Sequence, residues 1–173
     1  MKTNESNQIR NEIEYYNNLP YEFIDFVNVP TLSDGDIYLV CMTKKPGIPE
    51  KKWVPSYDFI ICKNGEKIGN INLRIGYTEG LYYGGQIGYG IDENYRGNGY
   101  ATKACKLIVP IAKAHKMQKL LITNDVNNNA SKRVCEKLKA KHIRLAELPD
   151  WHDLYIIGQR FSNIFEWDLG ENI

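Results

Sequence analysis

No CxxC pair occurs in this chain, no internal repeat or low-complexity linker interrupts it, and no apolar run approaches the roughly 20 residues that span a bilayer. Each absence excludes something. Cys41, Cys62, Cys105 and Cys135 lie far apart and lack metal-ligand spacing, so they read as reduced, buried thiols and not as a disulfide framework. His115, His142 and His152 likewise have no metal spacing, and no metal is expected. A net charge of +1 leaves no global field to draw nucleic acid or an anionic membrane surface. The first residues, Lys2-Thr3-Asn4-Glu5-Ser6, are too polar for a secretory h-region, so a soluble, cytoplasmic protein is expected.

What remains is ordinary globular material with a surplus of one residue type. Hydrophobic residues make up 43% and charged residues 25% of 173, enough to bury a core without staples and suited to a single domain over 1–173. The 12 tyrosines supply flat apolar faces with polar tips, fit for a core or a substrate cleft. Residues 1–18 are polar, with Ile9, Ile13 and Tyr16 at helical spacing, and read as a frayed helix. Ile37 to Met42 is a β-prone run, ended by the loop Lys44 to Pro49. Tyr57 to Cys62 and Lys67 to Ile75 form a hairpin around Asn64-Gly65, the strongest short-range turn signal. A further strand is expected from Leu81 to Ile91.

The period then changes. Ala101, Ala104, Cys105, Ile108, Ile111, Ala112 and His115 share a helical face, which Pro110 should kink. Lys119 to Thr123 reads as a strand, Ala130 to Lys139 as a short helix, and His142 to Leu148 and Phe161 to Leu169 as closing strands. A strand–helix–strand crossover implies locally parallel pairing. The expectation is an α/β (or α+β) fold, with helices flanking a central mixed, mostly antiparallel sheet.

The segment from Gln86 to Ala104 runs strand, turn, glycine loop and helix start. Gly97 and Gly99 let backbone N–H groups approach an anion without Cβ interference, and the helix beginning there adds its own unpaired N–H groups and dipole. A diphosphate suits this nest. The loop has neither the GxxxxGK[ST] nor the GxGxxG pattern.

Arg96, Gly99 and Ala101 resemble the Q/R-x-x-G-x-G/A acetyl-CoA loop of the GNAT superfamily. Downstream, Asn128 to Leu138 is similar to that superfamily's second cofactor motif, through Asn128, Ser131, Val134, Glu136, Lys137 and Leu138. The resemblance covers roughly Tyr57 to Leu169 and is nearest the branch of ribosomal-protein N-terminal acetyltransferases. It implies acetyl-CoA as cosubstrate, held by Ile91, Arg96, Gly97, Asn98, Gly99, Tyr100 and Ala101, with Asn128 and Ser131 on the pantetheine arm. The implied reaction is direct attack of a primary amine, on a small molecule or a peptide N-terminus, in a ternary complex. A homodimer is compatible with this reading.

The chemistry needs a neutral amine, an oxyanion donor and release of a thiolate. A backbone N–H near Ile91 suits the second need. Glu93, Asp92, Asp125 and, through water, Tyr89 are candidate bases, though carboxylates after strands also serve as solvated or capping groups. Alignment on the second motif puts Cys135 where many superfamily members place a general-acid Tyr; it is either a proton donor or a packing thiol. Asn128 suits the pantetheine or an N-cap, and Ser131 the cofactor or the first helical turn. Lys132 and Arg133 suit the 3′-phosphate or a solvated face. Tyr82, Tyr83, Trp151 and His152 border the acceptor cleft or belong to core and surface. The rival function is a catalytically silent acyl-CoA-binding or sensing module; a third, a general diphosphate-binding domain, rests on the bare loop alone.

Overall fold

A computed structural model describes residues 2–170. Helix α1 (Lys2–Asn17) leads, followed by strands β1 (Leu32–Ser33), β2 (Tyr38–Lys45), β3 (Ser56–Lys63) and β4 (Glu66–Arg74). Helix α2 (Glu79–Gly84) and strand β5 (Ile87–Ile91) come next, then helices α3 (Tyr100–Leu107) and α4 (Val109–Ala114). Strand β6 (Lys119–Asn124), helix α5 (Asn129–Lys137), strand β7 (Lys141–Glu147), helix α6 (Asp153–Ile156) and strand β8 (Phe161–Asp168) complete the order.

The hairpin turn falls where the sequence puts it. Asn64 and Gly65 both take positive φ, 51° and 80°, the paired left-handed geometry of a two-residue turn whose twist matches its strands. The kink expected at Pro110 is a complete break. Helix α3 ends at Leu107, and Pro110 sits in the first turn of α4, where a missing N–H costs no hydrogen bond. The strand expected from Leu81 to Ile91 is half helix. Thr78 Oγ1 caps the Leu81 N–H at 3.2 Å, and Gly85, at φ 77°, stops the helix before β5 begins. The β-prone trio Leu81-Tyr82-Tyr83 yields to tertiary burial, since Tyr82 and Tyr83 pack beneath α1.

The strands form two antiparallel sheets, β1-β2-β3-β4-β5 and β6-β8-β7. The parallel ladder expected between β5 and β6 does not form. The two meet at one place, where the Gln86 N–H donates to the Leu121 carbonyl (2.9 Å) and the Leu121 N–H donates to the Gln86 side-chain Oε1 (2.6 Å). The Gln86 carboxamide thus takes a donor that a neighbouring strand would otherwise take. Beyond it, no backbone hydrogen bond joins β5 to β6 among the described residues.

The main core packs the inner face of the larger sheet (Tyr57, Phe59, Ile71, Leu73) against α3, α4 and the inward residues of β6 and β8. A second cluster lies under α1, which is held by Tyr16 and by Glu12, bonded to Arg144 (2.9 and 3.0 Å) and to the Tyr82 hydroxyl (2.6 Å). The connection from α1 to β1 is pinned by His115. Its Nδ1 faces the Glu22 carbonyl at 3.0 Å and its Nε2 the Tyr57 hydroxyl at 2.6 Å, while that hydroxyl accepts the Val27 N–H. No helix among the described residues is long and apolar enough to cross a membrane.

Candidate active site

The glycine loop leaves β5 through a 3-10 turn (Glu93–Tyr95) and enters α3 at Gly99. Its own side chains hold it. Arg96 Nε donates to the Ile91 carbonyl (2.8 Å), and Asn98 Nδ2 donates to the carbonyls of Tyr95 (3.0 Å) and Arg96 (3.3 Å). Gly97 and Gly99 have φ of 80° and 77°, and a Cβ added to either would meet nothing within 4 Å. Among the described residues, the N–H groups from Gly97 to Thr102 make no hydrogen bond within the chain. The buried Thr102 Oγ1, in the same helical turn, also lacks a partner. Unused donors, open space and a helix N-terminus fit a diphosphate. Lys63 lies over the Tyr100 ring at 5.4 Å and, with Lys103, pairs with Asp36.

The gap beside the loop is lined by strand edges. The Asp92 N–H donates to the Ile68 carbonyl, and the Arg74 N–H to the Gln86 carbonyl, both at 2.8 Å. This alternation turns Gly88 and Gly90 toward β4 and leaves the backbone groups of Ile87, Tyr89 and Ile91 on the edge facing β6. An extended chain bearing amide groups, such as pantetheine, fits between such edges, with the Ile91 carbonyl already taken by Arg96.

Four side chains gather across this gap. The Tyr89 hydroxyl lies 2.7 Å from Ser131 Oγ, and Asn124 Nδ2 donates to Ser131 Oγ (3.3 Å) and to Cys135 Sγ (3.7 Å). Tyr89 comes from β5, Asn124 from the end of β6, and Ser131 and Cys135 from one face of α5. Burial pushes the Tyr89 phenol well above its ordinary range, with Ser131 opposing. Burial likewise pushes the Cys135 thiol up to about 12, the Asn124 contact opposing. Cys135 is therefore a protonated, fully covered thiol. Asn124 Oδ1 is buried without a partner.

The other residues singled out from the sequence stand elsewhere. Glu93 and Asp92 are exposed in the turn entering the loop, away from the Tyr89 cluster. Asp125 Oδ1 accepts the Asn127 N–H (2.9 Å) within its own turn. Asn128 Oδ1 accepts the Ser131 N–H at 3.1 Å and so caps α5. Lys132 Nζ donates to the Val126 carbonyl (2.6 Å), and Arg133 is exposed. Tyr82 and Tyr83 are core residues under α1, and Trp151 packs edge-on to Tyr83. His152 caps α6 through Nδ1 and reaches the Gly80 carbonyl through Nε2 at 2.8 Å. Asn124 is the residue that sequence reasoning missed. Its signal was a polar side chain closing a strand with an apolar centre.

Comparison with known proteins follows this geometry. The family model described as an acetyltransferase (GNAT) domain matches residues 26–141, more than half of the chain. No curated protein matches the sequence. Among solved structures, the chain is similar to an acetyl transferase from Salmonella typhimurium that modifies the N-terminal serine of a 50S ribosomal subunit protein. The TM-score is 0.52 at 16% identity, covering 69% of this chain and 66% of that one, a little under two thirds of its length. It is also similar to a ribosomal-protein-S5-alanine acetyltransferase from Vibrio fischeri, with a TM-score of 0.61 at 13% identity over 84% and 100% of the two chains. A third similarity is to a ribosomal alpha-N-protein acetyltransferase in complex with coenzyme A, with a TM-score of 0.51 at 17% identity over 69% and 64%. At these identities the likeness is one of fold.

Proposed function

The chain belongs to the GNAT acetyltransferase family, and from that premise we propose that it transfers an acetyl group from acetyl-CoA to a primary amine by direct attack within a ternary complex. The observation that carries this reading is the run of unused N–H donors from Gly97 to Thr102, set at the mouth of a gap between two strand edges. A relative of this fold bound to coenzyme A is consistent with it.

Acetyl-CoA supplies the thioester, whose carbonyl carbon the amine attacks and whose sulfur leaves. The loop residues Arg96 to Ala101 hold the pyrophosphate, through backbone donors and not through the two side chains that brace the loop. The free backbone groups of Tyr89 and Ile91, on the β5 edge that faces β6, bond the pantetheine and offer an N–H to the developing oxyanion. A peptide α-amino group, with a pKa near 8, deprotonates readily near neutral pH, whereas a more basic amine needs more help. After attack the extra proton on the nitrogen passes to solvent as the thiolate leaves. Glu93, exposed and outside the cluster, has at most an outlying role.

Tyr89 acts at the sulfur, as a hydrogen-bond donor. A phenol whose proton burial makes harder to remove transfers it poorly to a thiolate of lower pKa, yet still stabilises negative charge beside it. In the arrangement that serves this role, Asn124 Nδ2 donates to Ser131, Ser131 donates to the Tyr89 oxygen, and the Tyr89 hydrogen points into the gap. Ser131 and Asn124 are thus positioning residues, and Cys135 packs.

The test is thiol release from acetyl-CoA across a panel of amines and N-terminal peptides. Turnover on any acceptor supports transfer. Tight acetyl-CoA binding with none would make the chain a silent acyl-CoA module, and no binding at all would overturn both readings. Replacing Tyr89→Phe should lower kcat roughly 10- to 100-fold, from loss of one hydrogen bond to a charged group of about 1.5–3 kcal/mol, with acetyl-CoA affinity unchanged. An unaltered kcat would remove Tyr89 from the chemistry.

A further inference from the structure

The outer face of β3, β4 and β5 carries a cavity of about 430 Å³ that the transfer chemistry does not yet use. Phe59, Ile71 and Tyr89 turn their side chains to the core, so they give this cavity a backbone floor. Its walls come from the alternate positions: Asp58, Asn70 and Asn72, and the bare strand at Gly88 and Gly90. Both bare positions matter. A Cβ at Gly88 would stand 3.1 Å from Asn72 Oδ1, whereas one at Gly90 would meet nothing within 4 Å and would simply project into the space. The strand that borders the cavity on its face is the strand whose free edge borders the cofactor gap. An acceptor lying here approaches the thioester from the side opposite the core.

The charges at the cavity select what lies in it. Cross-strand rows place Asp58, Asn72 and Gly88 side by side, with Ser56 and Arg74 as the next pair on the same face, one row beyond the cavity's own lining. Asp58 is paired with the exposed Lys45 at 2.7 Å. Arg74 has no ion pair among the described residues. It donates from Nη1 to the Gly85 carbonyl at 2.8 Å and leaves the rest of its fork uncommitted. Burial pulls its guanidinium down from the ordinary range, and the Asp58 charge, beyond pairing distance, offsets this only in part. An uncompensated, largely buried cation is costly, and a carboxylate meeting its planar fork removes that cost. Asn72 Oδ1 already accepts the Gly88 N–H at 3.0 Å, which leaves its amide N–H groups to donate, while the Asn70 carboxamide can donate and accept alongside.

We propose that the acceptor is a small amine that itself carries a carboxylate, as an amino acid does, with the carboxylate on Arg74 and the amine-bearing end along Asn72 and Asp58 toward β5. A cavity of this size lies at the small end of ligand sites, which suits a free amino acid better than a folded protein terminus. The proposal rests on the acetyl-transfer reading above.

The experiment pairs each common α- and ω-amino acid with its carboxamide and measures kcat/KM with acetyl-CoA for the wild type, Arg74→Gln and Gly90→Val. The wild type should prefer one or more acids over the matching amides. Arg74→Gln keeps an amide donor for Gly85 and should lower kcat/KM for the acid roughly 10- to 100-fold, as loss of a charged hydrogen-bond pair does. The amide should be little affected, so the acid-to-amide ratio collapses, a change that general destabilisation does not produce. Gly90→Val, built where a Cβ has room, should abolish turnover while acetyl-CoA affinity by calorimetry stays the same. Wild-type preference for amides, for simple alkylamines or for peptides alone would overturn the proposal and leave acetyl transfer standing. An unchanged ratio in Arg74→Gln, or full activity in Gly90→Val, would do the same. Acetyl-CoA binding without turnover of any amine would overturn both.

Discussion

Two glycines of this chain form a controlled pair for testing the anion loop. Gly99 and Gly65 have φ of 77° and 80°, and a Cβ on either meets nothing within 4 Å. An alanine at either position therefore imposes the same left-handed strain, about 1–2 kcal/mol. In a chain of this size that lowers Tm by about 2–8 °C. The two differ only in what occupies the surrounding space. At Gly65 it is solvent beside a hairpin turn. At Gly99 it is the space over the unused donors from Gly97 to Thr102, where the methyl would hold a pyrophosphate away. Losing one such charge-assisted bond, about 1.5–3 kcal/mol, weakens Kd roughly 10- to 100-fold. Differential scanning calorimetry should give matching Tm losses for Gly99→Ala and Gly65→Ala. Titration calorimetry with acetyl-CoA should give a weakened Kd for the first alone. Equal Kd values in the two variants would refute the placement of the pyrophosphate.

Two further outcomes concern pH. Burial pushes Cys135 and Tyr77 each up to about 12 from ordinary values of 9.0 and 10.0. Both keep their protons longer when folded, so their contribution is whole below the unfolded values and is lost as pH climbs toward 12. Urea unfolding should show stability falling between about pH 9 and pH 11, and a flat profile there would contradict the burial of these groups. At the acid end, burial raises Glu12 but the bonds from Arg144 and Tyr82 outweigh it and hold its carboxyl below 4.5. Its contribution is present above that value and disappears as pH falls below it. Glu12→Gln should cost about 1–3 kcal/mol at neutral pH and shallow the acid limb, with faster amide exchange in α1. Identical acid limbs for variant and wild type would show that Glu12 does not anchor the helix.

The parts of this molecule that were legible beforehand are those specified by local chemistry. Asn64-Gly65 dictates its turn because few residues tolerate two successive left-handed conformations. Pro110 dictates an interruption because it lacks an N–H, and Asn128 dictates a helix start because its side chain mimics a backbone acceptor. The start of a helix just after the glycine loop was legible for the same reason. Where long-range packing decides, the reading faltered. Leu81-Tyr82-Tyr83 has strand propensity, but α1, some seventy residues earlier in the chain, covers it as a helix. Local pattern gave no sign that Gln86 would take the Leu121 N–H, so a paired ladder was expected where a gap exists. Asn124 closes β6 with no local sign that it links Ser131 to Cys135 on α5. Arg74 is one of six arginines, and its lack of an ion pair among the described residues depends on strand rows that bring distant segments together.

The single stitch at Gln86 has a kinetic meaning. Since the backbone edges of β5 and β6 are joined only at Gln86, a buried residue whose amide is also tied to the Gly76 carbonyl at 3.2 Å, the spacing between those edges is set during folding. No backbone ladder between β5 and β6 has to part for a ligand to enter. On the proposed reading, association with acetyl-CoA should then be a single phase whose rate rises in proportion to ligand concentration, without the plateau that a gating step would impose.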